Sequence, residues 1–244
     1  LGCDDLLYVV GTPQSQHFDM VFEVAQQAGF MGDSHNAVHV KFGSVLDSDG
    51  KILKSREGEV IKLVDLLRES VARAEQAVAE RNPELRGVQR QEVARAIGIG
   101  AVKYADLSTE RTKDYVFDWD RMLSFEGNTS PYLQYAHARI CSIFRRSGAE
   151  RSSLRGACIS LDRPEEKLLA RRLANFAAVT DDTLATYSPH RLCTYLHSVA
   201  SAFATFYESC PVLAAEDEAT MTSRLALCDL TARTISTGLG LLGI

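Results

Sequence analysis

At Lys62 the apolar residues of this chain change period, and that change limits what it can fold into. Downstream they recur every three or four positions. Leu63, Leu67, Val71, Ala74 and Val78 make one stripe, and Val93, Ile97, Gly100, Ala101 and Tyr104 make another, with Asn82-Pro83 between them. This spacing places apolar side chains on one face of a helix. Beyond residue 130 the helical pattern continues through Leu196, Val199, Phe203, Phe206 and Tyr207, then Leu225, Cys228, Thr231, Ile235 and Leu239. Ser188-Pro189-His190 and Cys210-Pro211 mark helix boundaries, because a residue before proline is pushed out of the α region. Upstream of Lys62 the reading differs. "LLYVVG" (6–11) is a short apolar, β-branched run stopped by Gly11, Thr12 and Pro13, as a buried parallel strand would be. "SQHFDMVFEVAQQAG" follows with Phe18, Val21, Phe22 and Ala25 at helical spacing and Gly29 as its C-cap, and "AVHVKFGSVLD" (37–47) reads as a second strand. The expected layout is a β-α-β unit, cut short, followed by a mostly α-helical bundle.

The 244 residues suffice for one large domain or two moderate ones. No internal repeat and no run of roughly 18 apolar residues is present, so no membrane partner is expected. Six cysteines, at 3, 141, 158, 193, 210 and 228, show no C-x-x-C pair and no zinc-like cluster. They read as reduced, mostly buried thiols of a cytoplasmic protein with no metal site. Net charge is −5, which argues against general polyanion binding. The basic excess is local: residues 139–172 carry 9 basic and 4 acidic groups, from Arg139 through Arg145, Arg146, Arg151 and Arg155 to Arg171 and Arg172. That stretch is either a solvated helix-and-loop face or a surface that tracks phosphates.

"KILKSREGEVIKL" (51–63) poses a similar choice. Asp47, Ser48, Asp49 and Gly50 before it are turn residues, so a charged hairpin tip would look much the same. Its position near the carboxyl end of the sheet is where open α/β folds bind ligands. The chain also opens at "LGCDDLLYVVG" without an initiator Met, and a piece of a longer protein is expected.

The block "AIGIGAVKYADLSTERTKDYVFDWDRMLSFEGNTSPYLQYAHARICSI" (96–143) resembles arginyl-tRNA synthetases, a class I family. "YVVGTPQSQHF" (8–18), "HVKFGSVL" (39–46), "KSREG" (54–58), "YLHSVASAFATFYESCPVL" (195–213) and "SRLALCDLTARTISTGLGLLGI" (223–244) match in the family's order. The resemblance implies the C-terminal half of a Rossmann-type catalytic domain over 1–128 and a helical, DALR-type anticodon-binding domain over 129–244. It implies ATP-dependent activation of L-arginine, with Mg2+, and transfer to tRNA for arginine by a monomeric protein. Lys54, Ser55 and Arg56 stand where class I enzymes carry a phosphate-contacting signature, with Arg56 in the second-lysine role. Gln14 is similar to the glutamine that accepts from the substrate guanidinium, and His17 to a histidine near that pocket, where a packing role at a helix start is equally open. His39, Val40 and Phe42 fall on the strand whose backbone meets adenine. Tyr132, Tyr135 and Arg139 match the family's anticodon-facing set; at i, i+3 and i+7 they share one helix face.

The family's HIGH signature and its arginine-recognising acidic residues find no counterpart, so the isolated chain is expected to be inactive. A non-catalytic tRNA-binding module or a degenerate synthetase paralogue is the alternative. The KSR triplet and Gln14 favour the ligase, since a binding module has no use for a phosphate loop.

Overall fold

The computed structural model describes residues 3–32, 34–52 and 62–244. They make two compact units, one of Leu1–Ile61 with Thr109–Asp118, the other of Lys62–Ser108 with Trp119–Ile244. Lys54, Ser55 and Arg56 lie outside the described residues.

In the α/β unit, β1 (Asp5–Gly11) pairs in parallel with β2 (Asn36–Phe42), from Asp5 opposite Asn36 to Gly11 opposite Phe42. A 3-10 turn, Thr12–Gln14, leads from β1 into α1 (Ser15–Gln27). Pro13 suits that first turn because its missing N–H has no partner to lose. Gly29, at φ 75°, turns the chain out of α1 in the left-handed region that a Cβ disfavours. Tyr8, Phe18, Phe22 and His39 then close one aromatic cluster, with Phe18 to His39 at 4.6 Å and Tyr8 to Phe18 at 5.1 Å between centroids. Phe18 is the one buried apolar residue of this unit among those described.

The strand expected over 37–47 is two strands. β2 stops at Phe42, and β3 (Val45–Leu46) pairs in parallel with β4 (Tyr115–Val116). Gly43 and Ser44 interrupt because the 109–118 segment lies against them. Gly43 N–H donates to the Arg111 carbonyl (2.7 Å) and Ser44 N–H to Asp114 Oδ1 (2.6 Å). A Cβ on Gly43 would stand 2.5 Å from the Lys113 carbonyl. The following turn is as its residues predict: Asp47 Oδ1 accepts from Asp49 N and Lys51 N, and Gly50 has φ 75°.

In the helical unit, α2 (Leu63–Arg81) packs along α3 (Gly87–Ser108). Ser70, Ala74 and Val78 of α2 and Ala94 and Gly98 of α3 are buried. Ala74 and Val78 belong to the predicted stripe, as do the buried Gly100, Ala101 and Tyr104 of α3, whereas Leu63 and Val93 are exposed. A Cβ on Gly98 would fall 2.8 Å from the Ser70 backbone, and Ser70 Oγ donates to the Gly98 carbonyl at 2.5 Å. Small residues set this seam. After the short α4 (Trp119–Met122) comes α5 (Ser130–Ser147). Then follow α6 (Pro164–Ala174), α7 (Phe176–Thr186), α8 (Pro189–Ser209) and α9 (Glu218–Leu241).

Helix α8 is the spine, touching α3, α5, α6, α7 and α9, and it buries Leu192, Leu196, Val199, Phe203 and Phe206. Thr129 caps α5 by accepting from Tyr132 N–H, and Gly148 at φ 68° ends it. Glu166 and Arg224 are both buried and paired at 2.8 Å. Glu166 Oε2 also accepts from the N–H groups of Asp162 and Arg163, while Arg224 donates to the Pro211 carbonyl. Burial acts to raise the Glu166 pKa, but those hydrogen bonds and the Arg224 charge outweigh it and hold the carboxyl below its ordinary range. Three of the six cysteines, Cys193, Cys210 and Cys228, are buried, Cys141 is half-buried, and Cys3 and Cys158 are exposed. No helix among the described residues is long and apolar enough to cross a membrane.

Candidate nucleotide and nucleic-acid sites

Two sets of predicted residues lie in different units, and each is built locally. In the α/β unit, Gln14 ends the 3-10 turn and is exposed, just beyond the carboxyl end of β1. Phe42 ends β2 beside it, and its carbonyl accepts from Thr12 Oγ1 at 2.9 Å, which ties the two strand ends together. This is the edge of an α/β sheet where backbone groups and loop side chains face ligands. The His39 side chain is committed to packing: its ring stacks on Phe18, and Nε2 lies 2.9 Å from the Val10 carbonyl. Val40 and Phe42 alternate to the opposite face of the strand from His39. His17 is exposed on the first turn of α1, edge-on to Phe18 at 5.7 Å. The turn that carries Gln14 is thus tied to the end of β2 through Thr12, whereas the His39 side chain turns toward α1.

The second set sits on α5. Leu133, Ala136, Ile140 and Ile143 form its buried face, and Ile140 is fully buried. Tyr132, Tyr135 and Arg139 follow the same period shifted by one residue, so they line the flank of that face. Tyr135 is 54% exposed, which excludes a core role. Each of the three is held by an aromatic group from elsewhere in the unit. Tyr132 leans on His197 of α8 with centroids 5.5 Å apart, and the Arg139 guanidinium lies 4.4 Å over the Tyr207 ring. Tyr135 meets Phe125 edge-to-face at 6.5 Å and 89°. Partial burial raises the Tyr132 pKa, with the Arg139 charge acting the other way, so its hydroxyl stays a neutral donor and acceptor. No helical periodicity marks His197, Tyr207 or Phe125 as supports, because none of them lies on α5: the first two are on α8 and Phe125 is in the loop before α5.

The basic stretch is mostly solvent-facing. Arg145, Arg146, Arg155, Arg163, Lys167, Arg171 and Arg172 are exposed and make no ion pair among the described residues. Arg151 is the exception, bonded to Asp229 at 2.6 Å. Arg145 and Arg146 in the last turn of α5 also complement its negative dipole end. The arrangement offers planar surfaces for bases beside cations for phosphates. Among the described residues no group of three or more His, Cys, Asp or Glu side chains is disposed to hold a metal.

Comparison with known proteins divides the chain at a different place from the two compact units. The family described as tRNA synthetases class I (R), catalytic domain, matches residues 1–119, and the DALR anticodon binding domain matches residues 133–244. The chain is 48% identical to an arginine–tRNA ligase of Edwardsiella ictaluri, over all of this chain and 42% of that protein. It is 50% identical to one from Thermobifida fusca, with the same coverage. The solved Thermus thermophilus arginyl-tRNA synthetase superposes with a TM-score of 0.86 at 31% identity, over 99% of this chain and 40% of that one. The chain thus spans about two fifths of the length of these relatives. With a class I catalytic segment leading into a DALR helical domain, the chain belongs to the arginyl-tRNA synthetase family.

Proposed function

We propose that the protein containing this chain is an arginine–tRNA ligase. The arginine carboxylate attacks the α-phosphorus of ATP and displaces pyrophosphate; a hydroxyl at the tRNA 3′ end then takes the arginyl group and releases AMP. Residues 1–128 serve the first step and residues 129–244 hold the tRNA. Lys54 and Arg56, with Ser55 between, neutralise charge that builds on the departing pyrophosphate, which lowers the transition state more than the ground state. Gln14 offers its amide oxygen to the substrate guanidinium, a group that only donates. The β2 backbone at His39, Val40 and Phe42 meets the adenine. Mg2+ would sit on the ATP phosphates, the usual mode for this cation. The buried cysteines, with no disulfide among the described residues, fit a reducing cytoplasm, and a monomer is the proposed state.

The observation that most supports the reading is the α5 flank. Tyr132, Tyr135 and Arg139 stand exposed or half-exposed, each braced by a separate ring. They lie at the start of the region that matches a DALR anticodon-binding domain, with Tyr135 and Arg139 inside it and Tyr132 immediately before. Aromatic plates with a guanidinium are what splayed single-stranded bases require. The test of the catalytic half is arginine-dependent ATP–pyrophosphate exchange by the whole ligase. Lys54→Ala and Arg56→Ala are each expected to slow exchange by about 10²–10³-fold while tRNA affinity holds. Exchange that persists while tRNA affinity falls would show that this loop serves RNA instead.

A further inference from the structure

On the far side of the buried face of α5 from Tyr135 runs a second line of side chains. His137, Cys141 and Arg145 follow one another at four-residue steps, so they share one flank of the helix. Cys141 Sγ lies 3.8 Å from His137 Nδ1 and 4.0 Å from Nε2, a half-buried thiol beside an imidazole. Arg145 is exposed one turn further on, and Arg151, in the 3-10 turn Arg151–Leu154 that follows α5, brings its charge to His137. We propose that the His137–Cys141 pair is a thiol-exchange site, where Cys141 forms a mixed disulfide with a small disulfide that bears carboxylates. The proposal does not depend on α5 facing RNA, because the pair lies on the other flank.

The exchange needs no reagent besides that disulfide. His137 takes the thiol proton, the Cys141 sulfur attacks one sulfur of the disulfide, and the old S–S bond breaks as the new one forms. The departing thiolate takes the proton from His137 and leaves as a thiol. Cys141 is thereby oxidised and the small disulfide reduced. Burial and the Arg151 charge hold the His137 pKa below its ordinary value, which keeps the ring neutral and able to accept the proton. Arg151 shares Asp229 with Arg233, at 2.6 and 2.9 Å, so two guanidiniums meet one carboxylate and a net positive charge remains. Together with Arg145, these cations attract the carboxylates of the reagent and steady the negative charge that its sulfurs share in the transition state. The same cations oppose the other use of such a pair, a soft metal ion, for which no third His, Cys, Asp or Glu ligand is in place among the described residues. The remaining thiols lack this setting. Burial pushes Cys193 and Cys228 up to about 12 and raises Cys210, while Cys158 is exposed with no imidazole in hydrogen-bond reach among the described residues.

The test treats the whole protein that contains this chain with oxidised glutathione near neutral pH and follows each cysteine by peptide mass spectrometry. Cys141 is expected to form the mixed disulfide at least about tenfold faster than the more exposed Cys158, and dithiothreitol should reverse it. His137→Gln should bring Cys141 down to the rate of Cys158 or below. Arg145→Gln should slow Cys141 a few-fold with oxidised glutathione but not with cystamine, a small disulfide of opposite charge. Cys193, Cys210 and Cys228 stay unmodified while the fold is intact, so they report any unfolding of a variant. If His137→Gln unfolds, Arg145→Gln, an exposed change, carries the test. A Cys141 no faster than Cys158 in the unaltered protein refutes the site, whatever the variants do. A fast Cys141 that neither His137→Gln nor Arg145→Gln slows overturns the pair and its cations as the cause.

Discussion

The α/β unit and the helical unit bury apolar side chains in opposite ways. In the helical unit α8 is enclosed by five other helices, and Leu196, Val199, Phe203 and Phe206 are almost wholly buried. In the α/β unit only Phe18 is buried among the described residues, while Leu7, Val9, Val21, Val24 and Phe30 stand exposed. Parallel strands ordinarily have both faces covered, and here the face carrying Leu7 and Val9 is open. The helical unit is thus held by packing. The α/β unit is held by a strand ladder, one aromatic cluster and the tie between Gly43–Ser44 and the 109–118 segment. Stability is expected to divide between the units along that line.

The largest expected effect lies inside the helical unit. Arg224→Ala leaves Glu166 buried without its counter-charge and should destabilise this unit by about 3–5 kcal/mol, read as a lower denaturant midpoint by helical circular dichroism. The same pair sets a pH dependence. Because the folded pKa of Glu166 is depressed, its contribution is complete above the unfolded carboxyl value of about 4.3 and is lost as pH falls through the folded pKa. Glu166→Gln removes that titration, so the helical unit should be less stable near neutral pH. Its stability should also fall less steeply with pH below about 4.3 than in the unaltered chain, read as denaturant midpoints across that range.

Next in size is Gly43→Ala, which drives a Cβ into the Lys113 carbonyl. It should cost about 1–3 kcal/mol and act only on the α/β unit. Hydrogen exchange should quicken at Gly43, Ser44 and Tyr115, whose N–H groups bond across this junction, with α8 and α9 unchanged. Loss of protection in α8 as well would break the division between units. The smallest effect is Val9→Ala: at 66% exposure it should change stability by less than about 0.5 kcal/mol, and a larger loss would mean that this strand face is covered.

The sequence carried α1, α2, α3, α8 and α9 because their apolar period is long enough to read, and it carried the Asp47–Gly50 turn because those residues have fixed backbone chemistry. It did not reveal β3 and β4. Two-residue strands show no alternation, and the break at Gly43 is imposed by a segment about seventy positions away, seen in the Ser44–Asp114 bond. The stripes of α2 and α3 are legible in part: Ala74, Val78, Ala101 and Tyr104 are buried, Leu63 and Val93 are exposed, and Ser70 and Gly98 at the close approach carry too weak an apolar signal to read. At the α5 site the periodicity placed Tyr132, Tyr135 and Arg139 on one flank, and the motif selected that flank from the buried one beside it. Their supports, His197, Tyr207 and Phe125, are joined only by folding.

The claim that α5 reads RNA is tested most directly by Tyr135→Ala, measured as the ratio of affinities for an arginine anticodon stem-loop and a scrambled loop. Tyr135 is more exposed than buried, so circular dichroism should be unchanged. The account predicts a loss of about 1–3 kcal/mol for the arginine loop and a smaller loss for the scrambled one, so the ratio falls. Arg145→Ala, a cation on the same helix, should weaken both loops alike and lower the salt slope by about one. An unchanged ratio in Tyr135→Ala, with the fold intact, would contradict the assignment.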